Sequence, residues 1–291
     1  VALSPSCRST NNTLNGLKMR KPLIFTVLVA LLTACSGAAW AVDCLELDTN
    51  EKIKAFVKKS QDSNPLKREN VSTRFDLKTK EQGKKKTELI QSLRMGDRKR
   101  SFFVKGKNAP QCFITLGERD YRCSKCRALT NSECRSFKSS ENSQVIRGTN
   151  IDLGDFDLIT DDEHESVCND VKNNKKVIKL TTKRISGDSP YEKIISYYIK
   201  DKEVPITMNY FAEGVLRKVY RFFPKYYIQV KEEWIAAVTR VRTTAGKEKK
   251  YTFETIVKIK KNKKKQYQIY LDPATDPALK KANFETIFNI E

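Results

Sequence analysis

Between residues 191 and 241 the apolar positions recur in short runs with the period of an extended chain. Residues 194–199, 204–211, 215–222, 226–230 and 234–241 are each rich in β-branched or aromatic side chains. Asp201-Lys202-Glu203, Glu213-Gly214, Phe223-Pro224-Lys225 and Lys231-Glu232-Glu233 interrupt them at intervals of about ten residues. Links this short leave no room for crossover helices, so the strands are expected to pair antiparallel in chain order. The alternation also runs through 71–79, returns at 87–95 and 99–105, and recurs at 177–185, 251–260 and 266–271. Two stretches break the pattern. After Asp48-Thr49-Asn50, the spacing of Ile53, Phe56 and Val57 predicts an amphipathic helix to about Gln61. Asp276-Pro277 offers an N-cap and an N1 proline for a second, short helix, and Phe284, Ile287 and Phe288 close the chain as an apolar anchor. The expected class is mainly β (α+β), a curved antiparallel sheet with a few short helices.

Residues 1–41 read differently. Val1 to Leu17 has no hydrophobic period and precedes Met19, so it reads as upstream sequence. From Met19 the chain has Arg20-Lys21, an apolar run over 22–32 and then small residues, the build of a secretory signal. The run is too short to span a bilayer. Two processing sites compete: Leu32-Thr33-Ala34-Cys35 has the form of a lipobox, with Cys35 as the acylated residue, and Ala39-Trp40-Ala41 has the small-x-small form of ordinary cleavage. Either leaves an exported body, placed in the periplasm or anchored to the outer membrane through Cys35. The expected organisation is a leader at 1–41 and a single domain at 42–291.

Export changes the meaning of the charge. The formal net charge is +21, and residues 1–41 hold four cations and no acid, so the body carries +17. In the envelope the abundant anions are lipid head groups and surface polysaccharides, which sets nucleic acid aside as the partner. Solvated lysines on strand faces and edges are the plainer account of the same charge.

Six cysteines remain in the body: Cys44, Cys112, Cys123, Cys126, Cys134 and Cys168. An even number in an exported chain favours disulfides, whose pairing spacing alone does not choose. Cys123-Ser124-Lys125-Cys126 also has the form of half a zinc site or a redox pair, but no second such motif exists. Asp152, Asp155, Asp157, Asp161, Asp162, Glu163 and Glu165 form an acidic island without the spacing of a calcium loop, and pairing with nearby lysines suits it better. The only histidine, His164, falls in that charged stretch, which is expected to be exposed, and no nucleophile elbow, metalloprotease helix or phosphate loop is present. Neither an enzyme nor a cofactor or metal is expected. The alternative to catalysis is holding: a sheet with few helices to cover it leaves an apolar concavity. Its candidate lining residues are Leu77, Phe103, Met208, Tyr210, Tyr220, Phe222 and Trp234, each of which would serve equally as ordinary core.

Several segments resemble a known family. Tyr191-Glu192-Lys193-Ile194, Pro205 before Met208-Asn209-Tyr210-Phe211, and Gly214-Val215-Leu216-Arg217-Lys218 are similar to the central repeat of the outer membrane lipoprotein-sorting proteins, related to the carrier LolA and the receptor LolB. Phe222, Lys225-Tyr226 and Trp234-Ile235 match its next strand pair, Ser143 to Asn150 with Asp155-Phe156 its acidic loop, and Phe284 to Glu291 its close. The resemblance spans about 45–291. It implies an unclosed half-barrel with a helical lid, whose interior takes lipoprotein acyl chains or other lipids. The cysteine segment and the lysine density depart from the family. They keep open a second reading, a basic envelope protein that grips anionic lipid head groups or polysaccharide. Nothing in the pattern speaks to oligomeric state.

Overall fold

The fold is described from a computed structural model over residues 42–64, 66, 70–117, 119–126, 131–138, 149–151, 158–244 and 251–290. Residues 41–291 pack as one unit. The leader, Cys35, Asp152, Asp155 and Asp157 lie outside the described residues.

The alternating stretches become strands, and nearly all join one curved antiparallel sheet that does not close into a barrel. The first half is a meander: β1 (Asn70–Glu81), β2 (Lys84–Met95), β3 (Arg98–Lys105), β4 (Cys112–Leu116), β5 (Arg119–Cys126) and β6 (Asn131–Lys138). The second runs through β7 (His164–Asp170), β8 (Val177–Arg184), β9 (Lys193–Ile199), β10 (Val204–Ala212) and β11 (Val215–Phe222). A hairpin, β12 (Tyr227–Val230) and β13 (Glu233–Ala236), then leaves the sheet before β14 (Val238–Thr244) and β15 (Tyr251–Ile259) rejoin it. The spatial order is β6-β5-β4-β3-β2-β1-β15-β14-β11-β10-β9-β8-β7, so β15 and β14 join the two meanders and, among the described residues, β6 and β7 end the order. The β10–β11 turn places Glu213 at φ 53° and Gly214 at φ 72°. Two consecutive left-handed residues twist a hairpin with its strands, and glycine takes this conformation without strain.

Three expectations change. Residues 234–241 are not one strand: Ala237, buried, gives its N–H to Tyr226 and accepts from the Ile259 N–H, which splits the run into β13 and β14. The run at 266–271 reduces to a bridge between Lys261 and Tyr267 and a two-residue strand, β16 (Ile269–Tyr270), on β1. No helix follows Asp276. Among the described residues α1 (Asn50–Asp62) is the one α-helix, beside short 310 turns at Pro224–Tyr226 and Pro273–Thr275. The Thr49 hydroxyl caps α1 by accepting from the Lys52 N–H, and Ile53, Phe56 and Val57 are its buried stripe. None of the described helices is long and apolar enough to cross a membrane.

Strand alternation assigns each layer to a face of the sheet. On β1, Thr73, Phe75, Leu77 and Thr79 point one way, and Ser72, Arg74, Asp76 and Lys78 the other. Thr79 shares a row with Thr255, Val241, Tyr220 and Met208. The core under α1 lies on that side, called here the helix face. Ser72 shares its row with Leu93, Arg100 and Ile114, on the far face. There the C-terminal segment packs Leu279, Ile287 and Phe288 against Leu93, Ile114 and the disulfides. Asp276 fastens this layer. Its fully buried carboxylate accepts from Ser72 Oγ (2.7 Å), Gln91 Nε2 (3.0 Å), the Ala278 N–H (2.9 Å) and Arg74 Nη2 (3.4 Å). Asp276 is therefore not the N-cap of a helix: its carboxylate accepts from the Ala278 N–H in a turn and otherwise faces inward.

The six cysteines pair as Cys44–Cys168, Cys112–Cys126 and Cys123–Cys134. The first ties the start of the fold to edge strand β7. The other two staple β4, β5 and β6. The sulfurs of Cys112, Cys123 and Cys126 lie close together, and Cys123 and Cys126 each pair outside the Cys-x-x-Cys motif instead of with one another.

Candidate functional site

The helix face of β8–β11 and β14 is built from aromatic and aliphatic residues in adjacent rows. Leu180, Ser196, Met208, Tyr220 and Val241 form one row, and Thr182, Ile194, Tyr210 and Lys218 the next. The rings touch in sequence. Tyr191 and Tyr210 have centroids 5.0 Å apart, Tyr210 and Tyr220 5.7 Å, and Tyr220 and Phe222 6.5 Å. The Tyr210 hydroxyl reaches Met208 Sδ at 3.6 Å. Helix α1 closes over this surface, with Phe56 edge-on to Tyr198 at 5.2 Å. The β12–β13 hairpin forms the other wall. Tyr227, Trp234 and Ala236 turn toward this core, while Ile228 and Ile235 face a second cluster with Ile259 and Phe75.

Five of the seven candidate lining residues therefore meet in one cluster: Met208, Tyr210, Tyr220 and Phe222, with Trp234 half-buried at its margin. Leu77 and Phe103 do not join it. Both are buried, Leu77 opposite Val257 on β15 and Phe103 against the Phe113 ring at 6.2 Å. Pattern alone could not divide them, because all seven sit at alternating apolar positions and only the strand order decides which are neighbours.

The cluster also contains residues that the pattern did not single out. Lys218 is buried beside Tyr210, with its ammonium 5.8 Å from the Tyr191 ring, and the ammonium of Lys202 lies 4.0 Å over Trp234. Burial raises the hydroxyl pKa of Tyr198 and of Tyr227 above the ordinary value, so both stay neutral at any physiological pH. The Tyr227 hydroxyl donates to the Pro205 carbonyl at 2.5 Å, which pins the hairpin to β10.

His164 departs from expectation. It is wholly buried as the first residue of β7, with Nδ1 2.7 Å from Asp161 and Nε2 3.4 Å from the Tyr191 carbonyl. From the described part of the acidic island, Asp162 pairs with Lys54 at 3.0 Å, the lysine pairing expected there. The start of the fold is held by Lys200, which donates to Asp43 (3.1 Å) and Asp170 (2.7 Å) next to the Cys44–Cys168 bridge. The Lys200 hydrogen bond holds the Asp43 carboxyl below its usual range. Burial opposes the Lys200 charge, but its two carboxylate partners prevail and raise its pKa.

Comparison with known proteins bears on both the leader and the fold. Residues 19–36, which include Cys35, match the prokaryotic membrane lipoprotein lipid attachment site. The match supports the lipobox reading and an exported, periplasmic protein. No curated protein matches the chain by sequence. Among solved structures, a domain assigned to an outer membrane lipoprotein-sorting protein from Vibrio parahaemolyticus superposes with a TM-score of 0.52 at 15% identity, covering 72% of this chain and 90% of that one. A LolA superfamily protein from Nitrosomonas europaea superposes with a TM-score of 0.50 at 11% identity, with the same coverage of 72% and 90%. The resemblance read from the strand and turn residues is thus matched by a shared LolA-like fold.

Proposed function

We propose that this protein is a non-enzymatic carrier that holds acyl chains, of lipoproteins or other lipids, on the helix face between α1 and the β12–β13 hairpin. The observation that carries the reading is the continuous aromatic surface from Tyr191 through Tyr210 and Tyr220 to Phe222, on a sheet that does not close on itself. A closed barrel has a lumen of fixed size, whereas an open sheet covered by one helix and one hairpin can admit a chain by moving its covers. Met208 and Tyr210 are 2% and 0% exposed, so cargo reaches them only when α1 or the hairpin shifts. Trp234, half-buried at the hairpin margin, is the entry-side contact. The fold shared with lipoprotein-sorting proteins supports the same use of this face.

Binding driven by methylene burial has a measurable signature. Each buried CH2 contributes about 0.8 kcal/mol, so affinity for a fluorescent fatty acid should rise roughly fourfold per added carbon until the surface is filled. Titration with a series of chain lengths, and mass spectrometry of the protein extracted from its native membrane, test this directly. Chain-length-independent binding, or Trp234→Glu binding as tightly as wild type, would falsify the proposal.

A further inference from the structure

The far face carries a feature that acyl binding does not use. Two neighbouring rows cross it through β11, β14, β15, β1 and β2. One reads Arg221, Arg240, Ile256, Lys78, Thr87 and the next Val219, Arg242, Glu254, Lys80, Lys85. Six cations thus stand against a single carboxylate on five adjacent strands, an array about 19 Å wide at the usual strand spacing. Glu254 is engaged by Arg242 and lies 3.7 Å from Arg240. Arg221, Lys78, Lys80 and Lys85 are exposed, and none of the four has an ion pair among the described residues. Lysines elsewhere do find acids: Lys52 with Asp48, Lys54 with Asp162, Lys59 with Glu203, and Lys200 with Asp43 and Asp170. Arg221 stands directly opposite Arg240, and Lys80 directly opposite Lys85. Like charges in direct cross-strand register destabilise a sheet, so the arrangement costs the fold something unless an anion is bound.

Aromatic side chains mark both ends of the arginine run. The guanidiniums of Arg221 and Arg240 lie 5.4 and 5.2 Å over Phe223, and that of Arg242 lies 4.8 Å over Tyr251. Tyr226 and Tyr251 are among the exposed large hydrophobic residues, at 38% and 41%. Cations spread across a broad sheet face, with amphipathic rings at the margins, suit a flat anionic surface. The lipid attachment site supplies the surface. Cys35 is nine residues before Cys44, which is fixed to β7, and nine extended residues span at most about 30 Å. In a chain anchored at Cys35, Cys44 therefore stays within that distance of a bilayer.

We infer that this basic ladder is a docking face that lays the protein body against anionic phospholipid head groups. The inference is independent of what the helix face holds.

The test uses the full chain carrying Cys35→Ala, purified after export, so that no acyl anchor contributes, in co-sedimentation with phosphatidylglycerol-rich and pure phosphatidylcholine vesicles. The ladder predicts partitioning to the anionic vesicles alone, falling steeply with salt. At about 1 kcal/mol per cation near such a surface, Arg221→Glu/Lys78→Glu/Lys80→Glu should lower it by at least about 100-fold. The triple variant Lys58→Glu/Lys172→Glu/Lys175→Glu makes the same charge change elsewhere and should keep most of the binding. Equal losses in the two triples would show a net-charge effect and overturn the docking face. So would equal binding to both vesicle types, or ladder substitutions that abolish binding to dextran sulfate but spare vesicle binding. A readout that needs no variant is acetylation of the unsubstituted ladder: anionic vesicles should shield Lys78, Lys80 and Lys85, and unchanged labelling overturns the inference.

Discussion

At the residue scale, the most constrained side chain is Asp276. A buried carboxylate with four donors is worth most when all of them remain, and its removal strands Ser72, Gln91 and Arg74 without their acceptor. Asp276→Ala should cost about 3 kcal/mol in urea denaturation, and Asp276→Asn, which keeps an acceptor oxygen, distinctly less. The Lys200 pair makes a pH prediction of definite sign. The Asp43 carboxyl is lowered from 3.8, so its contribution is present above that value and lost as pH falls below it. The Lys200 ammonium is raised from 10.5, so its contribution holds below that value and is lost as pH climbs past it. Lys200→Met should therefore flatten the stability profile below about pH 4 and above about pH 10.5, leaving the middle level; urea midpoints across pH measure this. Neither residue's role could be read locally. The Asx turn at Asp276 is a three-residue signal, but its other partners lie 185 and 204 positions away. His164 looked exposed because its sequence neighbours are acids, whereas β-pairing with Arg184 and the contact with Asp161 turn its ring inward.

At the element scale, most strands and helix α1 were legible because period-two and 3.6-residue patterns follow directly from which side chains face a core. The limit was reached where two elements shared one apolar run. Nothing between Trp234 and Val241 marks the break at Ala237, since apolar residues run through it and only long-range hydrogen bonds separate the pieces. The candidate site suffered in the same way. Five lining residues converge because β10, β11 and the hairpin adjoin, and Leu77 and Phe103 diverge because β15 and β14 come between the two meanders. The disulfides also behave as elements. Cys44–Cys168 closes 124 residues and Cys112–Cys126 closes 14, so on the chain-entropy account removing the first should cost about 2 kcal/mol more than removing the second. Paired Cys→Ala variants compared by thermal unfolding test the difference.

At the scale of the whole molecule, one sheet is wall to two cores. Helix α1 and the hairpin occupy one side, the C-terminal segment the other, and the two clusters share no residue. The far core is stapled by two disulfides and pinned by Asp276, while the helix-side cover depends on α1 and on the Tyr227 contact to β10. In native-state hydrogen exchange such a molecule should show two tiers of slow amides. Those of β4–β6 should exchange only through global opening, and those of α1 and β12–β13 through a lower-energy excursion that leaves the far side intact. A bound acyl chain would then slow the second tier and leave the first unmoved, so occupancy could be followed without any label on the cargo.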